Sequence, residues 1–270
     1  MSDDNRSDDT RTPPNKPDDH KKPGFDALIE DVFGLNLRGL KTIWALIRNP
    51  SDVFDAARHE HWQNRFTPSI RLYFSLIALT VFFQFIWAGP HSYMRDAFRE
   101  QFILIQDLPN FGRFDVDRAT DLAIDAYLLI SPIIVGAFML LTACCLFIWG
   151  KGTGFVTRIR LFFAAMVPFT VVNFFFTIAT THASPDKGIL IAAIAFTTML
   201  IVNMVTAYRG LKTVHTGSAR FWKSLLYSVV VIFAFILLGT LSQIIVGIWA
   251  SLQIVNQDLA MIAIEGIVRT

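Results

Sequence analysis

Residues 69–88, SIRLYFSLIALTVFFQFIWA, decide the reading of this chain. At about 1.5 Å per residue the stretch covers the roughly 30 Å hydrocarbon layer of a bilayer. Its single charge, Arg71, stands at one end, within reach of headgroups. Four later apolar stretches of similar length read the same way, over about 121–149, 161–181, 188–208 and 224–250. The expected fold is therefore all-α, a polytopic membrane protein with five transmembrane helices and amphipathic interfacial helices.

Composition agrees. The chain is 53% hydrophobic with a mean hydropathy of +0.45, above the ~45–50% apolar content of soluble domains. The net charge of +2 gives no reason to expect nucleic acid as a partner. Cys144 and Cys145 are adjacent inside an apolar run, so they supply neither a disulfide framework nor a four-ligand zinc site. In the run His59-Glu60-His61 the imidazoles sit two apart and point to different sides of a helix, which argues against a metal. The glycines of Lys151-Gly152-Thr153-Gly154 lack phosphate-loop spacing and read as a turn. No catalytic constellation falls inside a span, so neither an enzyme nor a cofactor is expected.

The segments outside the spans divide into four. Residues 1–24 hold Pro13, Pro14, Pro17 and Pro23 among Asp, Lys and Arg, and too little apolar area to offset ordering entropy; a disordered tail is expected. Residues 25–64 carry an apolar stripe through Phe25, Leu28, Ile29, Val32, Phe33, Leu37, Leu40, Trp44 and Ile47, stepping by three and four. Arg38, Lys41 and Arg48 lie near it, and with Trp44 they form a candidate membrane-surface contact, for anionic lipid or a membrane protein partner. Alternatively the stripe packs on the protein's own loops. Asn49 is expected to cap a second helix that starts at Pro50 and reaches Asn64. In the connection 89–120, Met94, Ala97, Phe98, Phe102 and Ile105 share one face of a surface helix that stops near Pro109. The tail 251–270 is expected to lie on the surface or to extend the fifth helix.

The run Gly39-Leu40-Lys41-Thr42-Ile43-Trp44-Ala45-Leu46-Ile47-Arg48-Asn49-Pro50, followed by Pro68-x-x-Arg71-x-Tyr73, resembles two groups of polytopic membrane proteins over about residues 39–85. One is a bacterial family of unknown function that often carries an amino-terminal zinc ribbon; the other is the Yip-type family. This chain has no zinc-ribbon cysteines. The resemblance implies a bacterial inner-membrane protein and transfers no active site.

Lys and Arg in short connections set orientation. Arg38, Lys41, Arg48, Arg58, Arg65 and Arg71 precede the first span. Lys151, Arg158 and Arg160 join the second and third, and Arg209, Lys212, Arg220 and Lys223 join the fourth and fifth. These connections are expected in the cytoplasm, with the carboxyl terminus outside. On that orientation Gln84, Asp125, Asn173 and Gln243 all fall in the outer half of the bilayer, and Asn203 in the inner half. Polar side chains facing lipid cost several kcal/mol. Gln84, Asp125, Asn173 and Gln243 are thus a candidate polar cavity, or else they join helices pairwise and lie at headgroup level. Two functions follow: a non-enzymatic membrane scaffold or interaction protein, or a small transporter or channel subunit working around Asp125. Oligomerisation is compatible with either.

Overall fold

The structure, a computed structural model, describes residues 37–59, 65–87, 92–107, 114–181 and 185–268. The expected tail 1–24 and the stripe before Leu37 lie outside these residues. The helices are α1 (Leu37–Arg48), α2 (Pro50–Ala56), α3 (Ser69–Trp87), α4 (Tyr93–Gln106), α5 (Val116–Cys145), α6 (Phe155–Thr181), α7 (Pro185–Gly210) and α8 (Gly217–Val268). Among the described residues, α3, α5, α6, α7 and α8 are each long and apolar enough to cross a membrane, as expected.

Helix α6 is the axis of the bundle. Of its most apolar stretch 56% is buried, against 22–28% for the other four. It packs on α3 and α7; α7 packs on α8, and α8 on α5. The circuit closes where α5 meets α3, and there contact is sparse.

At one end, α1 and α2 lie against the connections that follow α5 and α7. Phe54 of α2 stacks edge-on to Trp149 with centroids 5.9 Å apart, and Trp149 meets Tyr227 of α8 at 5.7 Å. Such pairs add roughly 0.5–1.5 kcal/mol each beyond burial. The Thr42 hydroxyl donates to the Arg38 carbonyl oxygen at 2.7 Å and accepts from the Thr67 N–H at 3.0 Å, fixing α1 to the start of α3. The Arg209 guanidinium donates to the carbonyl oxygens of Ile47 and Arg48. These are acceptors the end of α1 leaves open, at its negative pole.

At the other end α4 lies over α5 and α8, with Phe98 and Phe102 in a second core alongside Ala123, Val246 and Ile254. Ser92 caps α4 by accepting from the Arg95 N–H, and Asp115 caps α5 by accepting from the N–H groups of Asp117 and Arg118.

Two local expectations are corrected. Asn49 makes no capping hydrogen bond; its Oδ1 accepts from the Ser51 hydroxyl at 2.8 Å instead. Helix α2 stops at Ala56, where the chain turns and Arg58 reaches Trp149; residues 60–64 lie outside the described residues. Of the two expectations for the tail, extension of the fifth helix is the one observed: α8 continues unbroken to Val268.

Candidate functional site

The sparse contact between α3 and α5 leaves two adjoining spaces. Facing the surroundings is a groove of about 1190 Å³. Helix α3 lines it with Phe74, Ile77, Ala78, Val81, Phe82 and Phe85, one helical face stepping by three and four. Helix α5 contributes Leu128, Leu129, Pro132, Ile133, Gly136 and Leu140 in the same rhythm, with Asp125 at the end nearest α4. Toward the Leu140 end the helices close up, where the Phe74 Cε1 lies only 3.0 Å from the position of a Cβ on Gly136.

Behind the groove is a cavity of about 150 Å³, room for several waters. Ile77, Val81, Leu128 and Pro132 line both spaces and so form the wall between them. The cavity's polar lining is Thr80 and Gln84 from α3, Tyr127 and Ser131 from α5, and Asn173 from α6. The Thr80 hydroxyl donates to the Leu76 carbonyl oxygen at 2.8 Å. Gln84 and Asn173 make no hydrogen bond among the described residues. Pro132, inside α5, supplies no N–H to the Leu128 carbonyl oxygen.

The four residues read from the sequence as one cluster therefore separate. Gln84 and Asn173 share the cavity. Asp125 is exposed on the groove side of the wall. Gln243 is exposed on α8 and lines neither space. Asn203 is fully buried in α7 with both amide atoms unpartnered. Thr80 and Ser131 escaped the sequence reading, although Thr80 with Gln84 and Tyr127 with Ser131 are both i, i+4 pairs that place polar groups on one helical face.

At the opposite end, α1 presents three faces. Gly39, Thr42 and Leu46 are buried against the bundle; Leu37, Leu40, Trp44 and Ile47 are exposed, Trp44 to 62%. Arg38, Lys41 and Arg48 are exposed on the remaining sector. Exposed Phe147, Phe155, Phe221 and Trp222 occupy the same end of the molecule, with the Arg158 guanidinium 4.4 Å above the Phe147 ring.

Arg58 is a half-buried cation at this end. It donates to the Trp149 carbonyl oxygen at 3.0 Å and the Thr153 hydroxyl at 3.3 Å, while its Nε is buried without a partner. Burial lowers its pKa from the ordinary value, and neighbouring Asp55 opposes that. Among the described residues no group of three or more His, Cys, Asp or Glu is placed to hold a metal ion. No family model matches the sequence, and no curated protein and no solved structure shows significant similarity to it.

Proposed function

We propose that this membrane-embedded protein is a non-enzymatic scaffold whose surface helix α1 reads anionic lipid. In this reading the α1–α2 end faces the cytoplasm of a bacterial cell and the α4 end faces outward. The observation that carries it is the geometry of α1. One face is pinned to the bundle through Thr42 and Leu46, while the exposed apolar face lies beside exposed Arg38, Lys41 and Arg48. A helix so divided rests at the headgroup boundary with its cations beside lipid phosphates, each worth about 1 kcal/mol near an anionic surface. The gathering of basic connections at the same end supports the orientation, and the resemblance of residues 39–85 supports the bacterial inner membrane.

The test uses the full chain in phosphatidylcholine nanodiscs with and without phosphatidylglycerol, and the triple variant Arg38→Gln, Lys41→Gln, Arg48→Gln. Native mass spectrometry after detergent extraction should find phosphatidylglycerol retained by the parent and depleted from the variant, most clearly at low salt. Equal retention at low salt removes the lipid-reading role.

A second reading, a small transporter or channel subunit, draws on the cavity that Gln84 and Asn173 share. Solute flux into proteoliposomes that falls on Asn173→Leu would favour it over the scaffold.

A further inference from the structure

We infer that the groove between α3 and α5 is a binding site for one membrane lipid with a primary-amine headgroup, the amine resting on Asp125. This stands apart from the α1 reading, which concerns anionic lipid at the other end of the molecule. Three observations converge on it.

The first is shape and depth. From Asp125 to Leu140, α5 rises about 22 Å at ~1.5 Å per residue. The chains of one leaflet occupy about 15 Å, half of the ~30 Å hydrocarbon core. The groove thus accommodates a full acyl chain lengthwise. Its lining is apolar apart from Asp125, and the small side chains of Ala78 and Ala137 leave room along it.

The second is charge. Asp117, Asp121 and Asp125 follow one another at intervals of four on α5. Arg99 pairs with Asp117 and Arg95 with Asp121. Asp125 has no cationic partner among the described residues, and it alone of the three lines the groove. An acidic side chain there, with its neighbours already neutralised, favours a cation brought by the occupant. An acyl chain lying below that cation identifies the occupant as a lipid rather than a soluble amine.

The third is the wall. Four groove residues, Ile77, Val81, Leu128 and Pro132, also line the cavity where the Gln84 and Asn173 amides are unpartnered. The wall that an amphiphile in the groove would cover is thus one apolar layer thick, with the polar cavity directly behind it. The lateral opening lets the amphiphile arrive from the bilayer without crossing water.

The experiment compares phosphatidylethanolamine with phosphatidylcholine, whose trimethylated nitrogen keeps the charge but has no N–H. The full chain is reconstituted in an equal mixture of the two, extracted in mild detergent and analysed by native mass spectrometry. The parent should retain one phosphatidylethanolamine in roughly tenfold preference, the factor set by one charge-assisted hydrogen bond. Asp125→Asn should bring the ratio near unity. The pair Ala78→Phe, Ala137→Phe, both at exposed positions, fills the groove and should abolish retention while leaving the far-ultraviolet circular dichroism unchanged. Equal retention of the two lipids by the parent, or an unchanged preference in Asp125→Asn, overturns the proposal. So does a parent that is dimeric in detergent and becomes monomeric on filling the groove, which assigns the groove to a second copy.

Discussion

Arg58 Nη2 donates to the Trp149 carbonyl oxygen at 3.0 Å, joining chain positions separated by 91 residues. The same guanidinium donates to the Thr153 hydroxyl, so one fork holds the connection after α5 against the turn after α2. Lysine has no second arm to replace it. Arg58→Ala should destabilise the protein in detergent by about 1.5–3 kcal/mol, the range for hydrogen bonds to a charged group. Arg58→Lys should recover only part of that loss. Thermal unfolding followed by tryptophan fluorescence reads both.

Gly210 gives the complementary test. A Cβ there would lie 2.4 Å from the Phe54 ring, so Gly210→Ala must push α2 off the end of α7. We expect a loss of about 1–3 kcal/mol, typical of overpacking. Phe54→Leu should cost stability alone yet cost less in the Gly210→Ala background, because the clashing ring is gone. Additive losses across this double-mutant cycle would show that the contact is not what forces glycine.

Gly239 should behave oppositely. It lines the cavity from α8, and a Cβ there meets no atom within 4 Å. Gly239→Ala removes an entropic weakness from a helix interior and should stabilise by about 0.5–1 kcal/mol, or about 1–4 °C in Tm. A drop in Tm would mean that the cavity is smaller than the structure shows.

The ion pairs between α4 and α5 should respond to salt and hardly to alkali. The hydrogen bond to Asp121, opposed by burial and aided by nearby acidic charge, holds the Arg95 guanidinium above its ordinary pKa. A base raised in this way contributes fully below its unfolded value and loses its contribution only as pH rises through the folded one, far above neutrality. Between neutral and mildly alkaline pH the pair should therefore give no decline. Because Arg95 and Asp121 are 21% and 62% exposed, the contribution is under about 1 kcal/mol and screened by salt. Tm measured against ionic strength should slope less in Arg95→Gln than in the parent.

The spans were legible because apolar length is a one-dimensional signal. The surface helix α4 was legible too: Phe98 and Phe102 are buried as their spacing required, while Glu100 is exposed. In a bilayer the two sides of a spanning helix face equally apolar surroundings, so hydropathy does not say which side turns inward. Leu161 and Phe162 of α6 are wholly buried, whereas Leu129 and Ile133 of α5 are about 70% exposed, and nothing in their residue types distinguishes them. The same blindness explains the candidate site. Depth along each span followed from charge in the connections, but rotation about each helix axis did not. Gln84 and Asn173 turn toward one cavity, while Asp125 and Gln243 turn elsewhere.

Helix α8 runs 52 residues without interruption, about 78 Å at the rise of an α-helix. That is more than twice the thickness of the hydrocarbon core. It carries Tyr227, which touches Trp149 at one end of the molecule, and Gln257, which accepts from Arg118 at the other. Tyr227 and Gln257 therefore stand about 45 Å apart along one axis with no loop between them, so the packing at the two ends of the molecule is anchored to a single element.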